Sequence, residues 1–108
     1  MNPTVKVIEP SGILNAINGN EIRREITYLI STGADIVLID FENVNFIDSS
    51  GLGALVASMQ AVKQENGELF ICSVNAQVKM IFELTKMDRL FKVFANRDEF
   101  NTQVLATQ

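Results

Sequence analysis

Histidine is absent from this 108-residue sequence, and cysteine occurs only once, as Cys72. Without a second cysteine the chain cannot close a disulfide within itself. Without histidine it lacks Cys/His zinc sites, histidine-dependent catalytic triads and imidazole proton shuttles. Cys72 follows Ile71 in an apolar segment, which is typical of a small buried side chain in a reducing compartment. The side chains that enzymes use most often are therefore scarce.

Long apolar runs and basic clusters are also lacking. The apolar run at 36–39 has four residues, far fewer than a membrane span needs, and the first 20 residues lack the pattern of a signal peptide. The sequence has nine Lys and Arg residues and 13 Asp and Glu residues, which gives a net charge of −4. Few cations are therefore present to neutralise the phosphates of a nucleic acid. We expect a cytoplasmic protein with no direct contact to nucleic acid and no insertion into a membrane.

The sequence is rich in apolar residues that alternate with helical patterns. At 47% apolar and 20% charged, the chain predicts one compact domain over residues 1–108. The patterns predict strands at 5–9, 35–40, 68–73 and 90–94 and helices at 21–31, 51–65, 75–85 and 98–105. Asn18, Gly19 and Asn20 read as a turn and cap before the first helix, and Gly33 as its stop.

This order of elements predicts an α/β fold, with four helices packed against a parallel or mixed sheet of four to five strands. Sites in such folds form beyond the carboxyl ends of the strands. We therefore expect the functional segment to follow Asp40.

The segment that leads from that strand into the second helix contains Asp48, Ser49 and Ser50. These side chains are typical helix caps, and capping alone accounts for them. A second interpretation is a serine displayed for phosphorylation, because a helix N-terminus tolerates an anion. The residue types leave both interpretations open.

Residues 39–55, I-D-F-E-N-V-N-F-I-D-S-S-G-L-G-A-L, closely resemble the signature of anti-sigma-factor antagonists, the single-domain members of the STAS family. The resemblance continues through residues 67–69, 78–84 and 88–94 and so covers nearly the whole chain. It implies that Ser49 is the residue presented for phosphorylation, with Ser50 as its neighbour. Asp48 would help to shape the phosphorylation and docking site.

The same resemblance implies a partner switch. The unphosphorylated protein would bind an anti-sigma factor that is also a serine kinase, phosphorylation of Ser49 would release it, and a PP2C-type phosphatase would restore it. The protein would itself be non-catalytic, without cofactor or metal, and monomeric when free.

A row of small side chains on the second helix suits close approach of a partner. Gly53, Ala54, Ala57, Ser58 and Ala61 lie mostly off the apolar stripe of that helix. We therefore predict a partner-binding surface formed by Asp48, Ser49, Ser50, Gly51, Gly53, Ala54 and Ala57. An ordinary solvent-facing helix would show the same pattern.

Two positions depart from the family pattern outside the serine segment. Asn15 stands where an acidic residue is frequent, which puts a charge-based contact there in doubt. Lys86 stands where glycine is common, and a left-handed lysine costs about 1 kcal/mol relative to glycine.

Two other functions compete with the switch. One is a non-catalytic STAS subunit that docks on a membrane transporter or a signalling scaffold, which would keep the fold and change the partner. The other is an enzyme in which Asp40, Glu42 and Asp48 hold a metal ion, as acidic clusters at strand ends can.

Overall fold

The computed structural model describes residues 2–106, in which short strands alternate with helices. The strands are β1 (Val5–Ile8), β2 (Ser11–Leu14), β3 (Ile36–Asp40), β4 (Asn43–Ile47), β5 (Glu68–Cys72) and β6 (Lys92–Phe94). The α-helices are α1 (Ala16–Ser31), α2 (Ser49–Gln64), α3 (Ala76–Leu84) and α4 (Arg97–Phe100). A 3-10 helix covers Met87–Arg89, and a π-helical turn covers Asn101–Leu105. None of the helices in these residues is long and apolar enough to cross a membrane.

The main sheet has the order β1-β3-β5-β6, and all of its neighbouring strands are parallel. All five residues of β3 are buried, because this strand is covered on both faces. The predicted α/β fold with parallel pairing and helices against the sheet is confirmed.

A second sheet of two parallel strands, β2 and β4, is not predicted by the sequence patterns. Ser11 pairs with Asn43 and Leu14 with Ile47, and the register shifts between Gly12 and Ile13. Both strands are short, and only Val44 and Ile47 of β4 are buried, so neither carries a long alternating pattern.

The predicted start of the first helix is wrong by five residues, because α1 begins at Ala16 rather than at residue 21. Its cap is Asn15, whose side-chain oxygen accepts hydrogen bonds from the backbone N–H groups of Ile17 and Asn18, both at 3.1 Å. Asn18, Gly19 and Asn20 are therefore helical. The predicted stop is confirmed, since Gly33 follows the helix with φ +109°.

The C-terminal third differs from its prediction in detail. The last strand is shorter than 90–94, because the backbone N–H groups of Leu90 and Phe91 donate to the carbonyl oxygen of Met87 and so belong to the turn that follows the 3-10 helix. Lys86, between α3 and this turn, has a left-handed φ of 63°. The sequence offers Asn96 or Asp98 as the cap of the terminal helix. The structure shows that Asn96 is the cap, and the helix changes to π-helical geometry after Phe100.

Two apolar clusters cover the two faces of the main sheet. The larger one joins the sheet to α1, α2 and α3 through residues such as Ile26, Leu55 and Phe82. The smaller one joins Leu38 and Phe70 to Phe100 and Val104 of the C-terminal segment. Cys72 lies in the smaller cluster, and burial raises the pKa of its thiol.

Candidate functional site

The segment after Asp40 forms β4 before it reaches α2, so it is partly a strand rather than a simple loop. β4 aligns beside β2, and its last residue, Ile47, is buried opposite Leu14. The pairing of β4 with β2 therefore fixes the position of Asp48, the residue that follows β4. Its backbone N–H donates to the carbonyl oxygen of Leu14 at 3.1 Å.

Asp48 is the N-cap of α2. Its carboxylate accepts the backbone N–H of Gly51 at 2.8 Å, and its carbonyl oxygen accepts the N–H of Leu52 at 3.0 Å. The predicted capping role of Asp48 is confirmed.

Ser49 and Ser50 are the first two residues of α2, and both are exposed. At this position the backbone N–H groups of the first turn and the helix dipole favour a negative charge. Ser49 is accordingly exposed to solvent at a capped helix end. Its phosphorylation stays a prediction.

Gly51 allows α2 to pack closely against the end of β2. A β-carbon at this residue would lie 2.3 Å from the carbonyl oxygen of Leu14, which no side chain tolerates. Gly51 is buried, so the role that the structure shows for it is packing, and its contact with a partner stays a prediction.

The small side chains of α2 do not share one solvent face. Gly53 is exposed, with open space around its α-carbon, and Ala57 is half-buried. Ala54 instead packs against α1, where a β-carbon on Gly19 would come within 2.8 Å of the Ala54 β-carbon. The placement of Ser58 on an outer face is wrong, because it is fully buried and donates to the carbonyl oxygen of Ala54 at 2.8 Å.

Two apolar side chains next to this helix end are not among the predicted site residues. Ile13 of β2 and Phe46 of β4 are register partners, with exposures of 51% and 37%. They form an exposed apolar pair just before Asp48 in the small sheet. Recognising β2 and β4 would have revealed them, because exposed apolar residues then alternate with the buried Leu14 and Ile47.

Asp40 lies at the carboxyl end of β3 and is almost fully buried, in an ion pair with Arg97. The Nε of Arg97 donates to Asp40 Oδ2 at 2.7 Å, and a terminal nitrogen of the guanidinium also contacts Glu9. These two carboxylates raise the pKa of Arg97 above its ordinary value. Asp40 therefore holds the C-terminal segment rather than standing free beside Asp48.

The proposed metal site of Asp40, Glu42 and Asp48 is not assembled. The backbone N–H of Glu42 donates to Asp40, while the carboxylate of Asp48 caps α2. Across residues 2–106, no group of three or more Cys, Asp or Glu side chains could hold a metal ion.

The chain matches a known family over most of its length. The family model described as STAS domain matches residues 1–100. The chain therefore belongs to the STAS domain family, and the expected family is confirmed.

Individual proteins that the chain resembles include two anti-sigma factor antagonists and a sulfate transporter family protein. The anti-sigma-B factor antagonist of Staphylococcus aureus is 29% identical over 86 residues, which are 80% of each chain. The unphosphorylated form of the anti-sigma factor antagonist SpoIIAA of Bacillus superimposes with a TM-score of 0.75 at 20% identity, covering 94% of this chain and 90% of SpoIIAA. A sulfate transporter family protein from Wolinella succinogenes gives a TM-score of 0.83 at 15% identity, covering 100% of this chain and 93% of that protein. At these identities the structural likeness shows the fold alone.

Proposed function

We propose that this protein is a cytoplasmic anti-sigma-factor antagonist in a partner switch controlled by phosphorylation of Ser49. Its unphosphorylated form binds an anti-sigma factor that is also a serine kinase, and phosphorylation releases it. The observation that carries this proposal is the exposed hydroxyl of Ser49 on the first residue of α2, directly after the Asp48 cap. The similarity to the antagonist of Staphylococcus aureus supports the partner class.

The surface around Ser49 suits a protein partner. Ile13 and Phe46 offer apolar area on the small sheet, while Gly53 and Ala57 present little side chain on α2. A partner backbone can approach the small residues closely, and its apolar side chains can cover the exposed pair. Ser49 and Ser50 lie between these two parts of the surface along the chain.

Phosphorylation would act on this surface through charge. A phosphoserine carries a charge of about −1.5 to −2, and an interface would have to desolvate it next to Asp48, the residue directly before Ser49. A loss of about 3 kcal/mol weakens binding by more than a hundredfold. The Asp48 cap and the N-terminal dipole allow α2 to remain folded, so the change is a local one.

In this scheme the protein is a substrate and a ligand rather than an enzyme. The kinase supplies the phosphoryl group from ATP, and a PP2C-type phosphatase removes it. The free protein is a monomeric single domain, available to each partner in turn.

A second candidate is a STAS subunit that docks on a membrane transporter. The similarity in fold to the sulfate transporter family protein from Wolinella succinogenes favours it. Co-purification separates the two functions, because a serine kinase that binds a sigma factor supports the first and transporter subunits support the second.

Phosphorylation of Ser49 can be tested with the cognate kinase and ATP, followed by mass spectrometry of the 41–63 region. We expect one added phosphate, which is lost in Ser49→Ala and retained in the matched control Ser50→Ala. Labelling that persists in Ser49→Ala and disappears in Ser50→Ala would move the site to Ser50.

Release by charge can be tested by calorimetry of the same pair. Ser49→Asp should bind the kinase much more weakly than the unmodified protein, whereas Ser50→Ala should bind nearly as well. Equal affinities of Ser49→Asp and the unmodified protein would contradict release by charge.

A further inference from the structure

A groove of about 560 Å³ lies between α3 and β6, the outermost strand of the main sheet. Its apolar lining includes Val74, Phe82 and Val93. Lys79, Glu83 and Asp88 supply its charged lining. A volume of this size with apolar walls and a few charged groups is typical of binding sites.

The edge of β6 that faces away from β5 is free for pairing. The carbonyl oxygen of Phe94 accepts the N–H of Ser73 at 3.1 Å, so the peptide groups of Phe94 point toward β5. Peptide groups of successive strand residues point to opposite edges, and those of Val93 therefore point outward. No strand lies beyond β6 in the part of the chain that the structure describes. Val93 thus offers one donor and one acceptor beside the groove.

The positive and the negative side chains of the groove lie at opposite ends of it. α3 connects two parallel strands, so it runs opposite to β6, and Lys79 lies toward the carboxyl end of β6. Glu83 is one turn further along α3, and Asp88 comes just before β6, so both lie toward its amino end. The ion pairs of residues 2–106 are those of Arg97 with Asp40 and Glu9, which leaves these three side chains available.

We propose that this groove binds an extended segment of a partner protein as an antiparallel strand added to β6. Main-chain hydrogen bonds to Val93 give affinity, and apolar side chains of the segment fill the space over Phe82 and Val74. An antiparallel segment places its amino end at the carboxyl end of β6. An acidic residue there faces Lys79, and a basic residue at the other end faces Glu83 and Asp88.

The free edge of β6 distinguishes this occupant from a helix or a small apolar molecule, neither of which can pair with the peptide groups of Val93. None of the residues that line the groove belongs to the predicted partner-binding surface that contains Ser49. The proposal therefore stands or falls separately from the partner switch.

The test uses isotope-labelled full-length protein and two synthetic peptides, ETVTVTK and its charge-reversed counterpart KTVTVTE, both with blocked ends. Strand side chains alternate between two faces, so the charged ends and the valines of each peptide share one face and can enter the groove together. We expect ETVTVTK to shift the amide resonances of β6 and α3 and to slow hydrogen exchange at the Val93 N–H. KTVTVTE should bind about two- to fivefold more weakly, as expected for exposed ion pairs.

Two variants and one matched control locate the contact. Val93→Pro removes the outward N–H at an edge position where proline is tolerated, and should weaken binding of ETVTVTK about three- to tenfold. Val7→Pro makes the same change on β1, the other outer strand, and should leave binding unchanged. Lys79→Glu should abolish or reverse the preference for ETVTVTK over KTVTVTE.

Three outcomes would overturn the proposal. The first is the absence of shifts in β6 at peptide concentrations of about 1 mM. The second is binding that maps to β1 or to Ile13 and Phe46, or that is unchanged in both Val93→Pro and Lys79→Glu. The third is concentration-dependent pairing of two copies through β6, which would make a second copy the occupant.

Discussion

Gly51 and Gly53 lie two residues apart in α2 and have opposite surroundings. A β-carbon on Gly51 would collide with the Leu14 carbonyl oxygen, whereas one on Gly53 would meet nothing within 4 Å. One glycine is thus required by a close approach of backbones, and the other lowers the stability of an exposed helix turn. The difference arises entirely from the neighbouring strand β2.

Alanine at these two positions should shift stability in opposite directions. Gly51→Ala should lower the free energy of unfolding by about 1 to 3 kcal/mol, because the end of α2 must move away from β2. Gly53→Ala should raise it by about 0.5 to 1 kcal/mol through helix propensity. Urea unfolding measures both, and a stabilised Gly51→Ala would contradict the close packing of α2 on β2.

Asp48 stabilises the start of α2 by accepting one hydrogen bond from the N–H of Gly51. Asp48→Ala should lower the free energy of unfolding by about 1 kcal/mol, because this N–H loses its partner. Asp48→Asn keeps a side-chain oxygen that can cap and should remain close to the unmodified protein. Thermal unfolding followed by circular dichroism compares the two, and equal losses would show that charge rather than capping matters.

At the scale of elements, the short connection from α3 to β6 contains a strained residue. Lys86 has φ 63°, a left-handed conformation that non-glycine residues adopt at an energetic cost. The turn is needed because α3 ends at Leu84 and the 3-10 helix begins at Met87, with two residues between them. Lysine at this position, where glycine is common in the family, therefore costs conformational energy.

Lys86→Gly should raise the free energy of unfolding by about 1 kcal/mol, since glycine adopts this backbone conformation without strain. Lys86→Ala is the matched control, because it removes the charge and keeps the β-carbon. Denaturant midpoints should rise for the first variant and not for the second. A similar rise in both would assign the effect to the lysine side chain instead.

For the whole molecule, the two faces of the main sheet are covered unequally. α1, α2 and α3 pack on one face, and the C-terminal segment from α4 onward packs on the other. Arg97 at the start of α4 reaches Asp40 at the end of β3 and Glu9 just after β1. This ion pair and the burial of Phe100 hold the segment against the sheet.

Arg97→Ala should lower the free energy of unfolding by about 1 to 3 kcal/mol, because it leaves Asp40 buried without its cation. The loss should be smaller than for a fully buried pair, since the side chain of Arg97 is 42% exposed. The double variant Asp40→Asn/Arg97→Ala should recover part of it. Hydrogen exchange should show faster opening of the C-terminal segment in Arg97→Ala, and unchanged exchange there would rule out the anchoring role.

The predictions succeed where one element carries its own signal. The buried apolar run of β3, the stripe of α2 and the cap at Asp48 are readable locally, and the resemblance carried by residues 39–55 together with later segments predicts the family that the match over residues 1–100 shows. The predictions fail where a strand is short and has few buried residues, as in β2 and β4, which pair only with each other. The start of α1 is misread because Asn18, Gly19 and Asn20 resemble a turn, while the actual cap is Asn15.

Residue types and their local spacing are enough to specify the α/β alternation, the position of the capped serine segment and the lack of histidine chemistry. The packing of the folded chain is what brings Gly51 against Leu14, buries Ser58 and pairs Asp40 with Arg97. It also placed Ile13 beside Phe46. These contacts join residues far apart in the chain, and their geometry follows from how strands and helices pack rather than from any local pattern.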